Sequence, residues 1–254
     1  NRGLFAGNRA PTVALMASAT QVNPGAAVTF TATATDLDGD PLAYYWDFGD
    51  GSISTNVNTQ QRSFPSTREV LARVTVTDMK GGTGTAFLVV RVGNPTTFRI
   101  SGAVREAGIG VEGVRISSGS RMTYTDTAGA YTLVGFTSGN FQVNAAKAGW
   151  TLNTTFAQPV SVTTGNVTGI DFIGLRATYN ISGSVSSVGM PVAGVTVSAG
   201  QYSTLTSATG TYMLTGVPNG GYALTAKGPA GEIFNPVGFT NPIQINGAGL
   251  TNRN

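Results

Sequence analysis

Histidine and cysteine are both absent from this 254-residue chain. Without His there is no Ser-His-Asp or Cys-His nucleophile and no His-ligated zinc. Without Cys there are no disulfides, although secreted bacterial proteins often lack them, so an extracellular site stays open. Charge is sparse as well: 11% of residues are charged, and the net +3 comes from scattered Arg. The lack of a basic stripe argues against nucleic acid as a partner. No run reaches the roughly 18 apolar residues of a membrane span. No window carries a capped i, i+3, i+4 apolar stripe, so helices are not expected. Finally, Asn1 is preceded by neither Met nor a leader. This points either to a removed signal or pro-segment or to a piece of a longer chain.

What is abundant is Gly (35 residues), with Thr, Ser and Val and 11 Pro, a mix suited to short strands and tight turns. The first unit, residues 10–93, alternates in "TVALMA", "AVTFTATATD" and "VLARVTVTD" and ends in the apolar run "AFLVVRV", as half-buried strands do. Its centre reads "TDLDGDPLAYYWDFGDGS" (Thr35 to Ser52). With "WDFGDG" at Trp46 to Gly51, and "DLDGDPL" and "VTVTD" around it, the unit resembles the polycystic-kidney-disease-type (PKD) domain. Trp46 is expected as a core aromatic between two sheets. Gly49 and Gly51 should supply turn geometry, and Asp47 and Asp50 should accept backbone hydrogen bonds.

The rest of the chain is a duplication. Ile100, Gly102, Val104, Gly129, Tyr131 and Leu133 meet Ile181, Gly183, Val185, Gly210, Tyr212 and Leu214, each pair the same distance apart (181 − 100 = 81). Residues 98–175 and 179–254 are therefore two copies of one domain. "DTAGAYTLVGF" and "SATGTYMLTGV", after "ISGxV", resemble carboxypeptidase regulatory-like and collagen-adhesin B-type domains. That resemblance implies transthyretin-like sandwiches acting as non-catalytic spacers and stalks. Some such domains form a Lys–Asn isopeptide bond. Here "FRISGAV" and "YNISGSV" hold no Lys, and Lys80, Lys147 and Lys227 lie elsewhere, so none is expected.

Asp36, Asp38 and Asp40 alternate, a spacing that can converge on calcium. Pro41 stands where an EF-hand needs Gly, and no Glu closes the loop, so the favoured reading is an Asx-turn with carboxylates capping their own backbone. Some PKD-like domains of secreted proteins bind calcium, which keeps a structural ion open; no other cofactor is expected. A carboxylate pair for glycoside hydrolysis needs a cleft that small sandwiches rarely provide, so no catalytic residue is named. Asn153, Asn166 and Asn180 match the N-glycosylation pattern, at a frequency near chance. Trp150 or Tyr202 could stack on sugars, but Trp150 falls where the repeat family has a core aromatic.

From Pro159 the copies realign on Pro242. Arg253 and Asn254 then meet Ile170 and Asp171, and nothing stands opposite Phe172. The third domain thus lacks the closing strand that "IDFIGL" gives the second, which should leave unpaired backbone groups and a groove over the core. At the other end "GLFAG", within residues 1–9, has no place in a PKD-like fold yet resembles "GIDFIG". Three domains in series are expected to keep the ends apart. Two explanations remain: Gly3, Leu4, Phe5, Ala6 and Gly7 of one chain enter the third domain of the next beside Ile243, Ile245 and Leu250, or the sequence is a fragment of a longer array. Matching Phe5 to Phe172 buries Phe5, the preferred register because the groove has lost a Phe-sized side chain; a one-residue slip buries Leu4 and Ala6 instead.

The sequence thus describes an all-β protein of three Ig-like or transthyretin-like sandwiches in tandem, the last without its closing strand. The expected function is an extracellular, non-enzymatic, prokaryotic structural subunit that binds copies of itself, head to tail, into a filament. Neither nucleic acid nor a membrane span is expected; a glycan coat or matrix contacts remain open. The alternative is the non-catalytic C-terminal spacer or substrate-docking region of a secreted metallopeptidase, or a surface adhesin stalk.

Overall fold

The alternating stretches become strands whose inward residues build three separate cores. A computed structural model describes residues 8–49 and 56–254, and among them there is no helix. These residues divide into two compact units, 8–175 and 176–254.

In the first sandwich a three-stranded sheet, Thr12–Ala17 / Ala27–Thr35 / Thr59–Ser63, faces a four-stranded one, Gln21–Val22 / Thr83–Val92 / Arg68–Thr77 / Ala43–Asp47. Strand Ala27–Thr35 shows why it folds so: Val28, Phe30 and Ala32 point inward and the Thr residues between them outward, the period of two of a strand with one wet face. Trp46 is fully buried, stacks on Phe48 at 5.9 Å and donates its indole N–H to the Val57 carbonyl at 2.8 Å. That bond satisfies the one polar atom the ring carries into the core. Asp50 and Gly51 lie outside the described residues. Asp47 accepts the Gly49 amide at 2.9 Å, and its other oxygen pairs with Arg73 at 2.7 Å.

The second sandwich sets Ala130–Phe136 / Phe98–Glu106 / Phe172–Arg176 / Trp150–Thr154 against Arg121–Tyr124 / Arg115–Ser118 / Asn144–Ala146. Its core holds Ile100, Tyr131, Leu133, Phe136 and Phe172. It packs on the first sandwich within the same unit. Arg99 pairs with the buried Glu69 at 2.6 Å, and the Arg73 guanidinium lies 4.8 Å from the Tyr124 ring centroid.

The third sandwich repeats this plan with two differences. Tyr202–Leu205 / Thr196–Ala199 / Leu224–Lys227 / Ile233–Phe234 form one sheet, so Ile233–Phe234 has changed sheets relative to Trp150–Thr154, and among the described residues the opposing sheet has only Thr178–Ser184 and Thr211–Pro218. Elsewhere the copies agree in detail. The Gln158 side-chain amide bonds both backbone groups of Val143, and Asn241 does the same to Leu224. Thr125 gives its hydroxyl to Val111 O and accepts Val114 N–H, as Thr206 does with Val192 and Val195. The sequence reading passed over this buried threonine; its recurrence at the same place in both copies was the available signal.

Candidate functional site

The last turn of each repeat is held by the tyrosine and glycine that recur in both copies. In the second sandwich Tyr131 donates its hydroxyl to Ile170 O at 2.5 Å, and Asp171 accepts the Ala103 amide at 2.7 Å. In the third, Tyr212 donates to Arg253 O at 2.6 Å, and the Asn254 side chain accepts the Ser184 amide at 2.9 Å. Both turns lie against a glycine, since a Cβ on Gly102 would stand 2.1 Å from Ile170 O, and one on Gly183 2.0 Å from Arg253 O. The repeat register is therefore kept through Asn254.

Beyond that register the second sandwich runs on into Phe172–Arg176, parallel to its first strand, with Phe172 beside Val104 and Ile173 beside Arg105. Phe172 is 3% exposed and packs between Tyr131, at 6.4 Å, and Phe156, at 5.3 Å. The counterparts of those two rings, Tyr212 and Phe239, wall a groove of about 330 Å³ in the third sandwich. Val185, Val197, Leu224 and Phe234 complete its apolar lining, and Ser184 and Ser186 stand at its lip. The Arg253 guanidinium lies 5.6 Å from the Phe239 centroid. Burial pushes the Tyr212 hydroxyl up to about 12, with Arg253 acting in the opposite sense.

The residues named from sequence as acceptors sit elsewhere. Ile243 and Ile245 are 4% and 3% exposed, paired with strand Gly220–Tyr222, and Leu250 bridges to Ile181. Ile243 and Ile245 are core already, Leu250 packs partly buried against the same core, and none of the three lines the groove. Gly3, Leu4, Phe5, Ala6 and Gly7 lie outside the described residues.

The structure brings Asp36, Asp38 and Asp40 together, with one oxygen of each within 4.8 Å of the others. Asp36 accepts the amides of Asp38, at 2.8 Å, and Asp40, at 3.3 Å, which makes the Asx-turn. Arg9 binds Asp38 through its backbone and guanidinium, and these bonds hold the Asp38 carboxyl below its ordinary value. Lys80 pairs with Asp40, and that contact raises the lysine. Two of the three carboxylates thus already face a protein cation. We expect a chelator to leave the melting temperature of the first sandwich unchanged; a calcium-dependent rise of several degrees, lost in Asp38→Ala, would show an ion at this cluster. Of the acceptor-pattern asparagines, Asn166 has its side-chain oxygen on the Arg99 amide at 2.9 Å. Trp150 packs against the second core.

Residues 8–92 match the family model of the PKD domain. A curated relative, chitinase ChiA of Flavobacterium johnsoniae, is 35% identical over 160 residues, which span 56% of this chain and 10% of that protein. Among solved structures, the PKD1 domain of Vibrio anguillarum Epp is 29% identical (TM-score 0.30) and covers 35% of this chain and 99% of that one. The PKD domain of an M14-like peptidase from Thermoplasmatales archaeon SCGC AB-540-F20 is 19% identical (TM-score 0.32), covering 35% of this chain and all of that one. No helix among the described residues is long and apolar enough to cross a membrane.

Proposed function

We propose that the chain is an extracellular, prokaryotic, non-catalytic structural protein that assembles head to tail. In this reading residues 3–7 of one copy add a strand to the third sandwich of the next. The observation that carries it is the groove between Tyr212 and Phe239, where the second sandwich seats its own Phe172. Seating one Phe there stabilises the contact by about 1.5–3 kcal/mol from burial, and each strand hydrogen bond adds roughly 1 kcal/mol net. Because donor and acceptor are different surfaces, the contact is heterologous and propagates. The three cores are apolar, and the clustered carboxylates serve turns and ion pairs, which supports a mechanical rather than a chemical task. Structural calcium is not required in this reading.

Negative-stain microscopy of the purified native protein tests it, with unbranched fibres as the expected result and uniformly single particles as the contrary one. A second reading rests on the chitinase relative, of which the matched region is 10%: a non-catalytic spacer or substrate-docking region of a secreted hydrolase. A catalytic domain encoded upstream of Asn1 would favour it.

A further inference from the structure

Resting on that reading, we infer that the groove selects a Phe-x-Gly strand, with Phe5, Ala6 and Gly7 taking the places of Phe172, Ile173 and Gly174. The second sandwich shows what its own strand is required to be. Phe172 and Gly174 face inward, whereas Ile173 and Leu175 are 49% and 54% exposed. A larger residue at 174 would be tight, since a Cβ there would lie 3.1 Å from Trp150 Cε3 and 3.2 Å from Cζ3, so the indole would have to shift by a few tenths of an ångström. The second sandwich thus seats a large ring and, two residues on, favours the smallest residue.

The third sandwich offers the same ring pocket, with Glu232 where the second has Trp150. Its ring pocket is framed by Tyr212 and Phe239, the counterparts of Tyr131 and Phe156. Beyond that pocket Phe234 lines the groove from strand Ile233–Phe234, which pairs with Leu224–Lys227. Val237 donates its amide to Asn254 O as Thr155 does to Asp171 O, and three residues before each stand Phe234 and Leu152. Phe234 lines the groove, and its ring is bulkier than the leucine it replaces. Of the 12 phenylalanines in the chain, Phe5 and Phe172 alone are followed two residues later by glycine. The alternating pleat then fixes the register: Phe5 inward beside Val185, Ala6 outward beside Ser186, and Gly7 inward again. A slip by one residue would bury Leu4 and Ala6 and expose the ring.

The test measures fluorescence anisotropy of labelled peptides on the full chain carrying Phe5→Ala, which cannot fill its own copies' grooves. The probes are NRGLFAGN (residues 1–8) and GIDFIGLR (residues 169–176), and both are expected to bind. Within NRGLFAGN, Phe5→Ala and Gly7→Val should each weaken binding by about tenfold or more, the scale of one lost buried side chain. Ala6→Val, facing outward, should change it by less than about threefold. If Ala6→Val is the damaging change and Gly7→Val is tolerated, the register is overturned while the proposed assembly stands. If GIDFIGLR binds and NRGLFAGN does not, both the assignment of Phe5 and the assembly are overturned. Binding of neither overturns the groove as a strand receptor. The acceptor chain is the same in every arm, so loss of folding cannot account for a difference between peptides.

Discussion

Deleting residues 1–7 is expected to leave a folded chain that no longer assembles. The deletion stops short of the contacts that close the first sandwich at its start. Asn8 donates its side-chain amide to Asp78 at 2.7 Å, and Arg9 is tied to Asp38 by backbone and guanidinium. Asp78 is 1% exposed and also accepts the amides of Lys80 and Gly82, so losing Asn8 would cost stability whereas losing residue 7 should not. The melting profile of the deleted chain should therefore match that of unassembled full-length protein. Sedimentation velocity should report single chains at concentrations where the full chain forms fibres. The size of the effect follows from what each contact loses: one ring worth about 1.5–3 kcal/mol and several strand bonds worth roughly 1 kcal/mol each, enough to lower association by several orders of magnitude. If the deleted chain forms fibres as readily as the intact one, strand donation from the N-terminus is wrong.

Phe172→Ala should be among the most damaging single changes in the second sandwich. The side chain is 3% exposed and wedged between Tyr131 and Phe156, and removing a buried Phe costs about 3–5 kcal/mol. Against the 5–15 kcal/mol of a typical domain, that is a large share. Calorimetry should show one transition moved to lower temperature, belonging to the second sandwich, with the transition of the third unmoved. A drop of less than 1 kcal/mol would mean that the ring adds little to closing the second sandwich. The inferred energy of the groove would then fall with it, because the same site geometry underlies both.

How much of this was legible in the sequence depends on distance along the chain. The all-β class, Trp46 as core and the two repeats came directly from period-two patterning and a constant offset, both local signals. The offset also placed Arg253 and Asn254 opposite Ile170 and Asp171, and the matching bonds of Tyr131 and Tyr212 follow that register. The lining of the groove was not legible. Ile243, Ile245 and Leu250 were named because they lie nearest in sequence to the end of the repeat. The closing strand of the second sandwich instead pairs with its first strand, at Val104 and Arg105, and such a non-local parallel pairing leaves no mark in periodicity. Phe234 was equally hidden. It takes the place of Leu152 across a one-residue insertion in a loop of unlike sequence, and only the matched bonds of Val237 and Thr155 reveal the equivalence. At Asp36, Asp38 and Asp40 the spacing showed the cluster, but the cations facing it, Arg9 and Lys80, come from distant loops.

The duplication has a consequence for biogenesis. In the proposed assembly, a chain that holds a Phe-x-Gly strand at residues 172–174 would carry, in its own middle, a rival for the groove of every neighbouring copy. Exchange of like elements between repeats is a characteristic misassembly route. What keeps the rival at home is the timing of closure: once Phe172 is buried between its two rings, the segment is withdrawn from the pool of free strands. A newly made chain is therefore vulnerable only until its second sandwich has shut, and crowding of incompletely folded copies would produce branched, off-register aggregates rather than fibres.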